Sequence, residues 1–385
     1  MTQKPDTTAI TAGRGETRGL STPLDTSTVW QQEGLDEMRR RATGIRHGGV
    51  YGRYSNPTVA MFEDAVAELE GAEGALAFGS GMGAIASLVL TFCSQGSHIV
   101  AQNNLYGATL GFLQGPCRRF GIDTTFVDPS VPGAFAAAVQ PGRTMLVIAE
   151  TPSNPRLAVT DLSEIGRITG PFTVVDSTMA TPMGQRPLDF GVNFVLHSAT
   201  KGIGGHNDAL LGVLAGEKDL IDAVWAYSVM HGSVASPHDA HNALRGIRTL
   251  AVRTERQHAS ALHLARALVG HPKVTGVSHP FLESHPQHDL ARSQMRMGGT
   301  LLALEITGGT DACRTLLSTL RLARPATSFG GPETLICHPA TAIQVGVSDD
   351  ELTATGVTDG LLRVSVGLEN VDDLVADFTA ALDAL

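Results

Sequence analysis

The chain is short of several things, and each shortage excludes a class of function. Cysteine is rare: 4 in 385 residues, at Cys93, Cys117, Cys313 and Cys337. None of these has the spacing of a metal site or a redox dithiol. They read as small buried hydrophobes in a reducing compartment. Basic charge is also in deficit, with 28 Lys and Arg against 38 Asp and Glu and a formal net charge of −10. That argues against nucleic acid or an anionic membrane as a partner. No long apolar run interrupts the sequence, so no membrane span is expected. The opening MTQKPDTTAI lacks the charged-then-apolar pattern of a signal peptide, which makes the cytoplasm the expected location. The histidines His231, His238 and His241 have no neighbouring cysteine or clear acidic partner, so no metal is expected.

What is present is an ordinary globular balance, 42% hydrophobic and 17% charged, in a chain long enough for two domains. Glycine is abundant, at 43 residues. The chain is organised around the stretch from Phe172 to Asp208. Two short apolar runs lie in it, Phe172–Val175 and Phe194–Leu196. The first is closed by Asp176, Ser177 and Thr178; the second by His197, Ser198, Thr200 and Lys201 and then Gly202-Ile203-Gly204-Gly205. Such runs read as buried strands of a parallel sheet, whose ligands sit beyond the carboxyl ends. A carboxylate, two hydroxyls and a lysine should therefore meet in one crevice. A pyridoxal phosphate site needs that set. The lysine makes the Schiff base, hydroxyls hold the phosphate, and a carboxylate partners the pyridinium nitrogen.

Elsewhere the pattern is a repeating alternation of strand and helix. Asn56 can cap a helix opened by Pro57, carried by Val59, Phe62, Val66 and Leu69 and stopped by Gly71. Ala75 to Gly83 reads as a glycine-rich turn leading into an apolar helix from Ala84 to about Phe92, whose N-terminus suits phosphate. Further strands are expected at His98–Ala101, Met145–Ala149 and Leu210–Leu214. The alternation implies a mainly parallel sheet covered on both faces. A long helix from about Leu250 to Leu268 should lead to a second domain, with half-buried strands at Thr300–Ile306 and Leu361–Val366. Arg363 is unusual inside an apolar strand, because a buried charge needs a partner.

His197 to Asp208, HSATKGIGGHND, resembles the signature of the pyridoxal-phosphate enzymes of cysteine and methionine metabolism. That family includes methionine γ-lyase, cystathionine γ-lyase, cystathionine γ-synthase and O-succinylhomoserine sulfhydrylase. The resemblance runs from about Gly19 to the end. It implies the α/β fold of type I, aspartate-aminotransferase-like: a mainly parallel seven-stranded sheet domain and a smaller C-terminal α/β domain. The expected division is an N-terminal arm at 1–48, a cofactor-binding domain at 49–248 and a small domain at 249–385.

The resemblance also implies roles. Lys201 carries pyridoxal 5'-phosphate and moves protons, Asp176 holds the ring nitrogen, and Tyr106 stacks on the ring and protonates the leaving group. Ser80, Gly81, Met82, Ser198 and Thr200 hold the phosphate. In the pattern Tyr51-Gly52-Arg53 to Thr58, Tyr51 and Arg53 reach the phosphate held by a neighbouring subunit. Arg363, Ser328 and Asn154 take the substrate carboxylate. The implied activity is γ-elimination on a γ-substituted L-amino acid of the methionine, cystathionine or homoserine-ester type, through a vinylglycine intermediate. γ-Replacement on an O-acylhomoserine is the alternative. The SPHDA and LRGIRTL segments are similar to methionine γ-lyases, although Ser228 and Val229 stand where that enzyme typically has a lysine–aspartate pair. The expected assembly is a homodimer as catalytic unit within a homotetramer.

Overall fold

The computed structural model describes residues 3–15, 19–46, 48–342 and 356–385. Seven strands form the larger sheet: β1 (Gly74–Phe78), β2 (His98–Gln102), β3 (Asp123–Val127), β4 (Thr144–Glu150), β5 (Phe172–Asp176), β6 (Phe194–His197) and β7 (Gly212–Gly216). Their order is β1-β7-β6-β5-β4-β2-β3. Strands β6, β5, β4, β2 and β3 pair in parallel, and β7 runs antiparallel to both β1 and β6.

Successive side chains point to opposite faces, and both faces are covered. Ala75, Ala77, Val195 and Val213 pack on one side against Phe62, Val66 and Leu69 of the helix Pro57–Glu70 and against Ala240, Ala243 and Leu244 of the helix Pro237–Ile247. Leu76, Phe78, Phe194 and Leu196 pack on the other against Ile85, Leu88 and Val89 of the helix Gly81–Phe92. Burial on both faces is why these strands are continuous apolar runs. The end signals of the helix Pro57–Glu70 behave as their chemistry dictates. The Asn56 side chain accepts from the N–H groups of Thr58 and Val59, and Gly71 closes the helix at φ 69°.

The second sheet has five strands, in the order β10-β11-β12-β9-β8. They are β8 (Val274–Ser278), β9 (Leu301–Ile306), β10 (Arg324–Pro325), β11 (Leu335–Cys337) and β12 (Leu361–Ser365). The helix Leu250–Leu268 joins the two sheets, and its Ala261, Leu264 and Leu268 enter the core of the second. At the N-terminus, Ala9 and Ala12 are fully buried against the first core, whereas Leu20, Leu35 and Ile45 are exposed.

Three expectations are corrected. Ala75–Phe78 is strand, not turn, and the helix after it starts at Gly81. The strand expected at Leu210–Leu214 lies two residues later, at Gly212–Gly216. A side chain at Gly212 would strike the Ser80 carbonyl, so this glycine passes the turn at closest approach while Leu210 is left exposed. Strands β9 and β12 are buried almost throughout rather than half-buried, because the smaller sheet is covered on both faces as well.

Candidate active site

The carboxyl ends of the parallel strands open into one cavity of about 370 Å³. Ser80, Gly81 and Met82 line it from the start of the helix Gly81–Phe92; Tyr106 lines it from the turn after β2. Asp176 closes β5, Ser198, Thr200 and Lys201 follow β6, and Asn154, Ser328 and Arg363 complete the wall. Eleven residues expected at the site from sequence thus meet in a single chamber. Tyr51 and Arg53 do not line it. Arg53 donates from Nη1 to the Val229 carbonyl at 2.5 Å and lies over the rings of Tyr51 and Tyr54.

Each group is fixed by local chemistry. Asp176 Oδ1 accepts from Thr178 N at 2.9 Å and from Thr178 Oγ1 at 2.5 Å. The same Thr178 hydroxyl accepts from Ser198 N at 2.8 Å, which ties the turn after β5 to the turn after β6. Ser80 caps the helix Gly81–Phe92 by accepting from Gly83 N at 3.0 Å. The N–H groups of Gly81 and Met82 lie in the first turn of that helix, where no carbonyl of the helix can take them. A Cβ at Gly81 would come within 3.0 Å of the Ser198 Cβ, so a side chain there would crowd the space between the two turns.

The electrostatics separate the ionisable groups. Burial pushes the Lys201 amine below the usual lysine range, the Arg363 charge adds to the effect, and Asp176 opposes it. Burial raises the Asp176 carboxyl; its Thr178 hydrogen bonds and the charges of His197 and Lys201 pull it back. Glu150, its register neighbour on β4, is pushed up to about 8 by burial and by Asp176. Two buried carboxyls side by side cannot both ionise freely. The Thr178 hydrogen bonds work against the rise at Asp176, and the N–H groups of Tyr106 and Asn154 work against it at Glu150. Beneath them Glu70 Oε1 and His197 Nε2 form a sealed contact of 2.6 Å.

Arg363 is 3% exposed. Its Nη1 donates to Asn154 Oδ1 at 3.1 Å and its Nη2 to the Ser328 carbonyl at 2.6 Å, while Nε has no hydrogen-bond partner among the described residues. Ser328 adopts φ 81°, a strained conformation for a residue with a side chain, and this presents its carbonyl to the guanidinium. The Phe329 ring sits 5.7 Å from Lys201 Nζ and 5.4 Å from Arg363 Cζ.

Sequence reasoning missed Glu150, Thr178 and Phe329 as parts of this site. Glu150 carried a usable signal, since it ends an apolar strand just as Asp176 does. Phe329 carried none, because its place between two cations depends on how the second sheet docks on the first.

The pattern of the Cys/Met metabolism PLP-dependent enzyme family matches residues 6–383. The chain belongs to this family. It is similar to L-methionine gamma-lyase of Treponema denticola, at 38% identity over 373 residues, covering 95% of this chain and 93% of that protein. It is equally similar to O-succinylhomoserine sulfhydrylase of Pseudomonas aeruginosa, at 38% identity over 99% of this chain and 95% of that one. The crystal structure of cystathionine gamma synthase from Xanthomonas oryzae pv. oryzae, in complex with aminoacrylate and cysteine, superposes with a TM-score of 0.93 at 33% identity, covering 100% of this chain and 98% of that one. The fold is therefore that of the type I pyridoxal-phosphate enzymes. The chain is an enzyme of the PLP-dependent lyase and synthase class, with pyridoxal 5'-phosphate as cofactor.

The residues present fit that cofactor. The chamber is of the size that ligand pockets usually have. It offers a desolvated amine at one point, a half-buried aspartate at another, and a capped helix start beside two hydroxyls at a third. Among the described residues no helix is long and apolar enough to cross a membrane.

Proposed function

We propose that the chain catalyses γ-elimination on a sulfur-containing or otherwise γ-substituted L-amino acid of the methionine, cystathionine or homoserine-ester type. One observation carries the reading: a lysine of lowered pKa, a half-buried aspartate, a phenol and a buried arginine line the same cavity. The methionine gamma-lyase likeness favours elimination. The equal likeness to a sulfhydrylase favours the second reading, γ-replacement on an O-acylhomoserine.

When bound, pyridoxal 5'-phosphate supplies the electron sink for the substrate's Cα. Gly81 and Met82 N–H groups and the Ser80, Ser198 and Thr200 hydroxyls are the residues for its phosphate. Lys201 is the residue for its aldehyde carbon, and Asp176 the residue that holds a proton at its ring nitrogen. Arg363, steadied by Asn154 and the Ser328 carbonyl, grips the substrate carboxylate and leaves the γ-group on the Tyr106 side. Lys201 then moves the Cα proton and next a Cβ proton as a neutral amine, which its lowered pKa makes accessible, and the electron pair left at Cβ expels the γ-group. Tyr106, 43% exposed at the mouth, delivers a proton to the departing γ-group.

In this reading residues 1–48 are an arm, 49–248 the cofactor-binding domain and 249–385 the small domain, in a cytoplasmic enzyme. Tyr51 and Arg53 serve the phosphate of a neighbouring subunit, so the working unit is a homodimer, paired into a homotetramer. Their position outside their own cavity supports this.

The test measures 2-oxo acid release from methionine, cystathionine and O-acylhomoserines, with and without added thiol. Elimination predicts steady 2-oxo acid formation without thiol. Slow 2-oxo acid and dominant thioether would refute it in favour of replacement. Lys201→Ala should lose both turnover and the yellow, borohydride-sensitive colour.

A further inference from the structure

Glu150 is a buried carboxyl that the chemistry above does not use. It is 6% exposed, ends β4, and stands in register beside Asp176 on β5. Register neighbours in parallel strands project their side chains to the same face, so both carboxyls point toward the cavity, which both line. Glu150 is satisfied by backbone. Its Oε2 accepts from Tyr106 N at 2.7 Å and its Oε1 from Asn154 N at 3.0 Å. Gln102 holds the Glu150 backbone on both sides, donating to its carbonyl and accepting from its N–H, each at 3.0 Å.

We infer that Glu150 is a positioning residue, whose two carboxyl oxygens set the places of Tyr106 and of the Asn154–Arg363 pair in one cavity. The two turns it grips come from different strand ends, after β2 and after β4. Nothing in the local sequence fixes their separation. A single rigid carboxyl between them does so, because its two oxygens accept from two N–H donors at once. Asn154 passes the constraint on through Oδ1 to Arg363 Nη1 at 3.1 Å. The turn carrying the leaving-group phenol and the carboxylate clamp are thereby held in a fixed relation to each other. Burying a carboxyl costs stability unless it is well bonded, and the two backbone N–H groups offset part of the burial that pushes Glu150 up.

The inference rests on the amino-acid reading of the cavity, and the test separates the two. The purified holoenzyme and three variants are titrated with glycine, which has the amine and carboxylate but no γ-group, following the visible band. kcat and KM are then measured on the best γ-substituted substrate. Glu150→Gln keeps one acceptor oxygen and sets an amide N–H₂ against the other donor, so one turn is released. Displacement of this kind costs roughly 100-fold in turnover. A kcat/KM loss of about that size is expected, falling on kcat if the Tyr106 turn is freed. If the Asn154 turn is freed, it falls on KM and on the glycine dissociation constant. Glu150→Asp, one methylene too short for both donors, should lose both parameters. Should Glu150→Gln not fold, Glu150→Asp carries the test alone.

Thr173→Val is the control. It removes a buried β5 hydroxyl that bonds Asn193 away from the cavity, and should lower thermal stability while leaving glycine affinity and kcat/KM unchanged. Glu150 variants that keep wild-type kcat, KM and glycine affinity, or that lose no more than the control, overturn the inference while leaving the cavity reading intact. A wild-type protein that binds no glycine overturns both.

Discussion

Arg363→Lys probes the carboxylate clamp, and its effect can be worked out from the hydrogen bonds. Arginine has five N–H donors. Two of them are committed, to Asn154 and to the Ser328 carbonyl, and Nε has no hydrogen-bond partner among the described residues. That leaves enough donors for both oxygens of a carboxylate. Lysine keeps the charge but has only three donors; once Asn154 and Ser328 are served, one remains for the substrate. The variant thus loses one charge-assisted hydrogen bond, about 1.5–3 kcal/mol. At 1.4 kcal/mol per tenfold, this is roughly a 10- to 150-fold rise in KM.

The assay compares a γ-substituted L-amino acid with its carboxamide in wild type and variant. The wild type should favour the acid strongly, the variant only weakly, and the visible band of the bound cofactor should persist in both. A KM within about threefold of wild type, or undiminished preference for the acid, would refute the assignment of Arg363 to the carboxylate.

Other predictions follow from single contacts. Arg53→Ala should loosen the cofactor during dialysis without removing the borohydride-sensitive lysine linkage; retained cofactor affinity would count against an inter-subunit clamp. His279 is fully buried and stays neutral, its pKa pushed down to about 3 by burial and by His258. Its unfolded pKa is near 6.5, so the unfolded chain binds the extra proton as pH falls, and stability present at neutral pH is lost progressively between about pH 6.5 and pH 3. The shift corresponds to up to about 5 kcal/mol. Thermal melts from pH 7 to 4 should drop less steeply for His279→Gln than for wild type, and equal slopes would remove His279 as the cause.

What the sequence by itself determined was local. The Asn56 cap, the Gly71 stop, the apolar runs that became β5 and β6, and the polar residues closing them follow from short-range chemistry, and the structure has them in place. The charge buried at Arg363 was visible as an exception to its strand. The family signature at His197–Asp208 named the cofactor before any geometry was known.

Only the tertiary structure decided which distant pieces meet. Strand β7 runs against both its neighbours, and at its first residue, Gly212, the Ser80 carbonyl passes too close for any side chain. Phe329 faces both Lys201 and Arg363 because the smaller sheet docks over the larger one. Glu150 bridges two turns 44 and 4 residues away from it along the chain. Periodicity and capping act over a few residues, whereas a cavity is defined by side chains brought together through burial of the surfaces between them.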